Sequence, residues 1–119
     1  LDIITKQKNE EIIFKNVTFA SNSFIIDSSS YLELDQLVAY LIKNPDLEIE
    51  IQGHTDDQGN DLDNLKLSIS RAYEVFKYLQ TRTENKLTYV GYGEQNPLFP
   101  NNSIQNRAKN RRTSFVIIN

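Results

Sequence analysis

The stretch LEIEIQGHTDDQGNDLDNLKLSISRAYEVFKYLQ, residues 47–80, decides the fold. Leu47, Ile49 and Ile51 alternate with Glu48, Glu50 and Gln52, the period of two that marks a strand with one wet face. Gly53 to Gly59 reads as a polar turn. Leu62, Leu65, Ile69, Ala72, Phe76 and Leu79 then step by three and four, which predicts a long amphipathic helix from Leu62 to Gln80. A strand, a turn and a helix of this length form the middle of an α+β domain.

Working outward, Ile12 to Phe19 is rich in β-formers and predicts a first strand. Residues 1–11 alternate poorly and are expected to be a lead-in or tether, leaving 12–119 as the folded domain. Ser30 with Glu33 three residues later matches a capping box before a helix whose apolar stripe is Tyr31, Leu34, Leu37, Val38, Leu41 and Ile42. Asn44-Pro45 ends it. Leu87 to Tyr92 and Thr113 to Ile118 supply two further strands, joined by a long loop rich in Asn and Pro. Two helices on one face of a four-stranded sheet, a two-layer sandwich, bury these patterns most simply. The tyrosines and phenylalanines of strands one and three are expected in the core.

Composition narrows the chemistry. The 119 residues suit one domain, and 39% hydrophobic with 24% charged residues suffices for a core. No cysteine means no disulfide, thiolate metal site or cysteine nucleophile, and one histidine rules out a multi-histidine centre. A net charge of −3 and a pI near 5.1 argue against nucleic acid. Arg107, Lys109, Arg111 and Arg112 form a basic cluster, but no aromatic platform accompanies it. No apolar run is long enough to span a bilayer. The chain opens at Leu1 without methionine, so a mature fragment is expected, with membrane contact only through a missing upstream segment.

The polar residues of the central stretch collect at one end. At 100° per residue, Asn64, Ser68 and Arg71 fall within about 60° of each other, on the shoulder of the long helix. Asp56 lies near that helix's start. Two readings stay open on spacing: Asp56 and Arg71 pair with each other, or they face a guest carrying both charges, such as a free amino-acid centre. Catalytic readings fail on detail. Ser68 has no nucleophile elbow to complete a triad with His54 and Asp56, and His54 is expected to hold the turn by local hydrogen bonds. Adjacent Asp56 and Asp57 would diverge rather than converge on one glycosidic bond. A calcium loop starting at Asp56 would need Glu where Leu67 stands. No metal, cofactor or enzymatic activity is expected.

The run Gly53-His54-Thr55-Asp56-Asp57-Gln58-Gly59, followed by Asn64-x-x-Leu67-Ser68-x-x-Arg71-Ala72, resembles the signature of the OmpA-like C-terminal domain family. Gly91-Tyr92-Gly93-Glu94 and Asn110-Arg111-Arg112 extend the likeness across nearly the whole chain. The resemblance implies a βαβαββ fold with a mixed sheet. It implies non-covalent binding of peptidoglycan, with Asp56 holding the ammonium and Arg71 the carboxylate of diaminopimelate in the stem peptide. By the same resemblance Thr55 and Asn64 line the pocket and Arg111 supports it from the last loop. Phe19, Ala20 and Ser21, at the end of strand one, are expected to form the remaining wall; several relatives carry an acidic or polar residue where this chain has Ala20. The implied location is the periplasm, tied to the outer membrane through a region outside this chain. An adaptor role through protein contacts is the alternative, and a weak homodimer is left open.

Overall fold

The computed structural model describes residues 8–119. In chain order they form β1 (Glu11–Ile13), a single 3-10 turn (Ser28–Ser30), α1 (Tyr31–Lys43), β2 (Ile49–His54), α2 (Asp61–Gln80), β3 (Leu87–Gly91), α3 (Ile104–Asn110) and β4 (Arg112–Ile117). The sheet order is β1-β4-β2-β3. β2 runs parallel to β3, in register from Ile49 beside Leu87 to Gly53 beside Gly91. β4 lies antiparallel to both β2 and β1. This is the expected α+β architecture with a mixed sheet, and most of residues 1–11, the predicted lead-in, lies outside the described residues; Glu11 opens β1.

The core lies between one sheet face and the helices. Leu34, Leu37 and Leu41 of α1 and Ala72, Val75 and Leu79 of α2 pack with Ile49, Ile51, Phe115 and Ile117, all buried. In the register, Ile51 sits beside Phe115 and Ile49 beside Ile117, so the apolar alternation of two antiparallel strands falls on one side.

Several expectations are corrected. The first strand is three residues long, not eight, because the amides of Lys15 and Asn16 donate to the carboxylate of Glu33, at 3.0 and 2.7 Å, instead of to a neighbouring strand. Glu33 is thereby removed from the capping box. Ser30 makes no side-chain cap; its Oγ accepts from Thr18 N and donates to Thr18 O. Ile42 is exposed. So are Leu62 and Ile69, and the buried line of α2 is Ser68, Ala72, Val75 and Leu79. β2 continues through Gly53 and His54, residues expected in a turn. The long loop before β4 contains α3, two turns started by Ser103, whose side chain accepts from Asn106 N. Tyr89 of β3 is not core but sits outside, within 5.3 Å of Tyr73 and 5.0 Å of Phe76 between ring centres.

The shift of the α2 stripe has a steric cause. A Cβ on Gly53 would stand 2.3 Å from the Ser68 carbonyl oxygen, and one on Gly91 would stand 2.3 Å from Ile69 N. Only glycine at these paired positions lets the α2 backbone settle onto the sheet. Ser68 is the small residue at that contact, fully enclosed, donating to Leu65 O and accepting from Gly93 N. The contact fixes the first half of α2 over the carboxyl ends of the parallel pair β2–β3. The loop after β2, Asn64 and Arg71 therefore meet at one end of the sheet.

Candidate functional site

At that end lies a cleft of about 520 Å³. Phe19, Ser21, Thr55, Asp56, Asn64, Arg71 and Arg111 line it, seven of the eight site residues anticipated from the sequence. Ala20 is the exception. It does not line the cleft, and its carbonyl accepts from Arg71 Nη2 at 3.4 Å.

The loop after β2 is built by its own polar groups. Asn60 caps α2 by accepting from Asp63 N. The Asn64 amide donates to Gln58 O at 2.9 Å and to Asp56 O at 3.4 Å. Thr55 Oγ1 donates to Asp56 O, and Thr55 N donates to Gly93 O. Thr55 and Asn64 thus shape the cleft chiefly by fixing the backbone around Asp56.

Asp56 is 7% exposed. Its Oδ1 accepts from Gln58 N, and its Oδ2 accepts from Arg111 Nη1 at 2.6 Å. Arg71 is engaged elsewhere: its Nε donates to Ser23 O at 2.8 Å and its Nη2 to Ala20 O at 3.4 Å. Its guanidinium carbon lies 5.0 Å from the centre of the Phe19 ring. So the ion pair that spacing suggested exists, but with a different arginine. Among the described residues Asp56 pairs with Arg111, and Asp56 and Arg71 do not clasp each other. Burial, and then the charge of Arg111, lower the pKa of Arg71, the sign of two guanidinium groups lining one cleft.

The wall around Phe19 is a turn rather than a strand end. An isolated bridge joins Phe19 to Ile26, and Ser23 N closes back on Ala20 O. Asn22 has φ 53°, a left-handed conformation that asparagine adopts more readily than most residues. Asn22 lines the cleft and Ser23 O holds Arg71, neither anticipated from the sequence; the only signal was Asn-Ser in a short polar stretch.

His54 differs from expectation. It is 4% exposed, and neither ring nitrogen has a hydrogen-bond partner. It stacks on Tyr92 at 5.2 Å, and its Nε2 is 3.8 Å from a Glu11 oxygen. Burial, then the nearby Arg112 charge, push its pKa down to about 4, with Glu11 offsetting only part of this. His54 is neutral at pH 7, so the approach to Glu11 is not an ion pair. Glu11 accepts from Arg112 and Ser114 Oγ. Burial would raise its pKa, but those hydrogen bonds and the Arg112 charge outweigh burial and hold it below the usual carboxylate value. Arg112 therefore ties β1 to β4, while Arg111 next to it turns to the cleft. Asn110, just before these two arginines, is buried and pins the preceding loop through Leu98 N, Phe99 N and Phe99 O.

Comparison with known proteins follows the same lines. A model of the OmpA family matches residues 18–111. The outer membrane porin F of Pseudomonas fluorescens is 34% identical over 104 residues, which are 86% of this chain and 32% of that protein. The peptidoglycan-binding protein ArfA of Mycobacterium tuberculosis is 32% identical over 103 residues, 85% of this chain and 32% of that one. The chain thus spans about a third of the length of these relatives. Among solved structures, a putative MotB-like protein from Desulfovibrio vulgaris superposes with a TM-score of 0.76 at 34% identity, over 85% of this chain and 67% of that chain.

Proposed function

Because the chain belongs to the OmpA family, we propose that it binds peptidoglycan non-covalently through the free amino-acid centre of a diaminopimelate residue in the stem peptide. Asp56 receives the ammonium, and Arg71 receives the carboxylate. One observation carries this reading: the two opposite charges share a cleft without pairing with each other. An acid and a guanidinium held apart in an enclosed space form a receptor for a zwitterion. Arg111 orients Asp56 until the guest arrives, and adds positive potential for the carboxylate. The name of the ArfA relative, a peptidoglycan-binding protein, supports the same ligand.

A single small cleft gives modest affinity, and retention on a wall arises from many engaged copies. The role is anchoring, without catalysis, at the cell envelope on the wall-facing side of a membrane. Lysine-type stems offer an ammonium but no neighbouring carboxylate, so Arg71 loses its charged partner, a difference of about 2–4 kcal/mol in a desolvated site.

Pull-down with purified sacculi tests the assignment. Wild type sediments with the wall, whereas Asp56→Ala and Arg71→Ala remain in the supernatant as folded proteins. Retention of either folded variant at the wild-type level removes that residue from the binding site. Failure of the wild type itself favours the adaptor role, in which protein partners use the same fold.

A further inference from the structure

The two carbonyls on Arg71 occupy one particular edge of its guanidinium. Nε and Nη2 lie along the side edge, and that edge is spent on Ser23 O and Ala20 O. Nη1 has no acceptor among the described residues, and Nη2 keeps its second hydrogen. The end edge, with two parallel N–H donors, is therefore left over in the cleft that Arg71 lines, and it is the edge that grips a carboxylate in bidentate fashion.

Both carbonyls belong to one tight turn. Ser23 N donates to Ala20 O, which closes the turn, and Asn22 stands at its third position with φ 53°. The turn is anchored at its base: Asp27 N donates to Thr18 O, Thr18 Oγ1 donates to Asp27, and Thr18 N donates to Ser30 Oγ. The turn is thus fixed at its base, and its two carbonyls stand where a side chain from α2, 48 residues further on, meets them.

We propose that this turn is the orienting device for Arg71, and that Asn22 is a positioning residue for carboxylate recognition. The left-handed backbone at Asn22 places the Ala20 and Ser23 carbonyls so that the guanidinium is locked by its side edge with its end edge free. This inference rests on the ligand assignment above, and it adds the part of the chain that sets selectivity for a carboxylate beside an ammonium. It also accounts for alanine at position 20, because only the carbonyl of that residue meets Arg71.

Asn22→Val provides the test, since a β-branched residue at this φ is strongly disfavoured, whereas Asn22→Gly tolerates it freely. The first readout needs no ligand: solvent exchange of the Arg71 Nε–H, followed by NMR. Wild type and Asn22→Gly are expected to exchange slowly, and Asn22→Val at least about tenfold faster, as befits the loss of a hydrogen bond to a charged group. The second is the ratio of affinities for diaminopimelate and lysine by calorimetry. It should fall about tenfold in Asn22→Val and return in Asn22→Gly, while the weak lysine affinity stays constant. Should Asn22→Val not fold, Asn22→Ala carries the same strain in milder form and the same direction of change. Unaltered Nε–H exchange in the strained variant overturns the proposal, as does an Asn22→Gly protein as impaired as the valine one. A wild type that fails to bind diaminopimelate counts against the ligand assignment alone, because the exchange measurement still judges the turn.

Discussion

Acid should unfold this domain partly through one buried imidazole. His54 is enclosed, stacked on Tyr92, and without a hydrogen-bond partner on either ring nitrogen, so protonation there gains little and loses hydration. Arg112 adds repulsion, and the combined effect brings the pKa from the ordinary 6.5 down to about 4. Between those values the unfolded chain binds the proton and the folded chain does not. The stability tied to His54 is therefore whole above pH 6.5 and is lost as the pH falls through about 4. The step corresponds to about 3 kcal/mol at about 1.4 kcal/mol per pH unit, a sizeable part of the stability of a small domain. Glu11, with its depressed pKa, acts in the same direction, so the comparison must be with a protein that keeps Glu11. Urea unfolding of wild type and His54→Gln at about pH 7.5 and about pH 4, which span the titration window, supplies it. Wild type should lose about 3 kcal/mol more than His54→Gln over that range. Parallel pH profiles in the two proteins would refute the reasoning.

Two further perturbations probe the contact that builds the cleft. Ser68→Ala leaves the enclosed Gly93 N–H without its acceptor and should cost about 1–3 kcal/mol in chemical denaturation. Its binding to wall polymer should be unchanged, because Ser68 is spent inside the helix–sheet contact; a large loss of binding in the folded variant would reinstate the hydroxyl as a ligand contact. Gly53→Ala drives a methyl to 2.3 Å from the Ser68 carbonyl oxygen, backbone against backbone. It should lower stability by at least about 2 kcal/mol, visible as a reduced denaturation midpoint, and a midpoint equal to wild type would mean that the close approach is not a constraint.

What the sequence disclosed and what it hid divide along physical lines. α2 was legible because a strong three-and-four pattern runs for five turns, and the predicted Leu62 start differs from the observed Asp61 by one residue. Ala72 and Leu79 of its buried stripe were read correctly, but Ile69 stood in for Ser68 and Phe76 for Val75, since a serine facing two glycines carries the closest contact and hydrophobicity does not mark it. β1 was overextended because its residues favour strand, while the carboxylate that intercepts their amides lies 17 and 18 residues away. α3 was missed: it has only seven residues, two of them asparagines, weak helix formers, and it rests on a serine cap and a buried Asn110. The cleft residues emerged from the motif, but their pairing did not. Arg111 reaches Asp56 across 55 residues and Ser23 reaches Arg71 across 48, and such partners are set only by the folded sheet.

Titration calorimetry of the intact domain with diaminopimelate and with lysine, in parallel, bears on the central claim most directly. A receptor with a separated Asp56 and Arg71 should bind diaminopimelate measurably and lysine at least about tenfold more weakly, the margin expected from one unanswered guanidinium. Equal heats for the two amines, or silence from both, would contradict it.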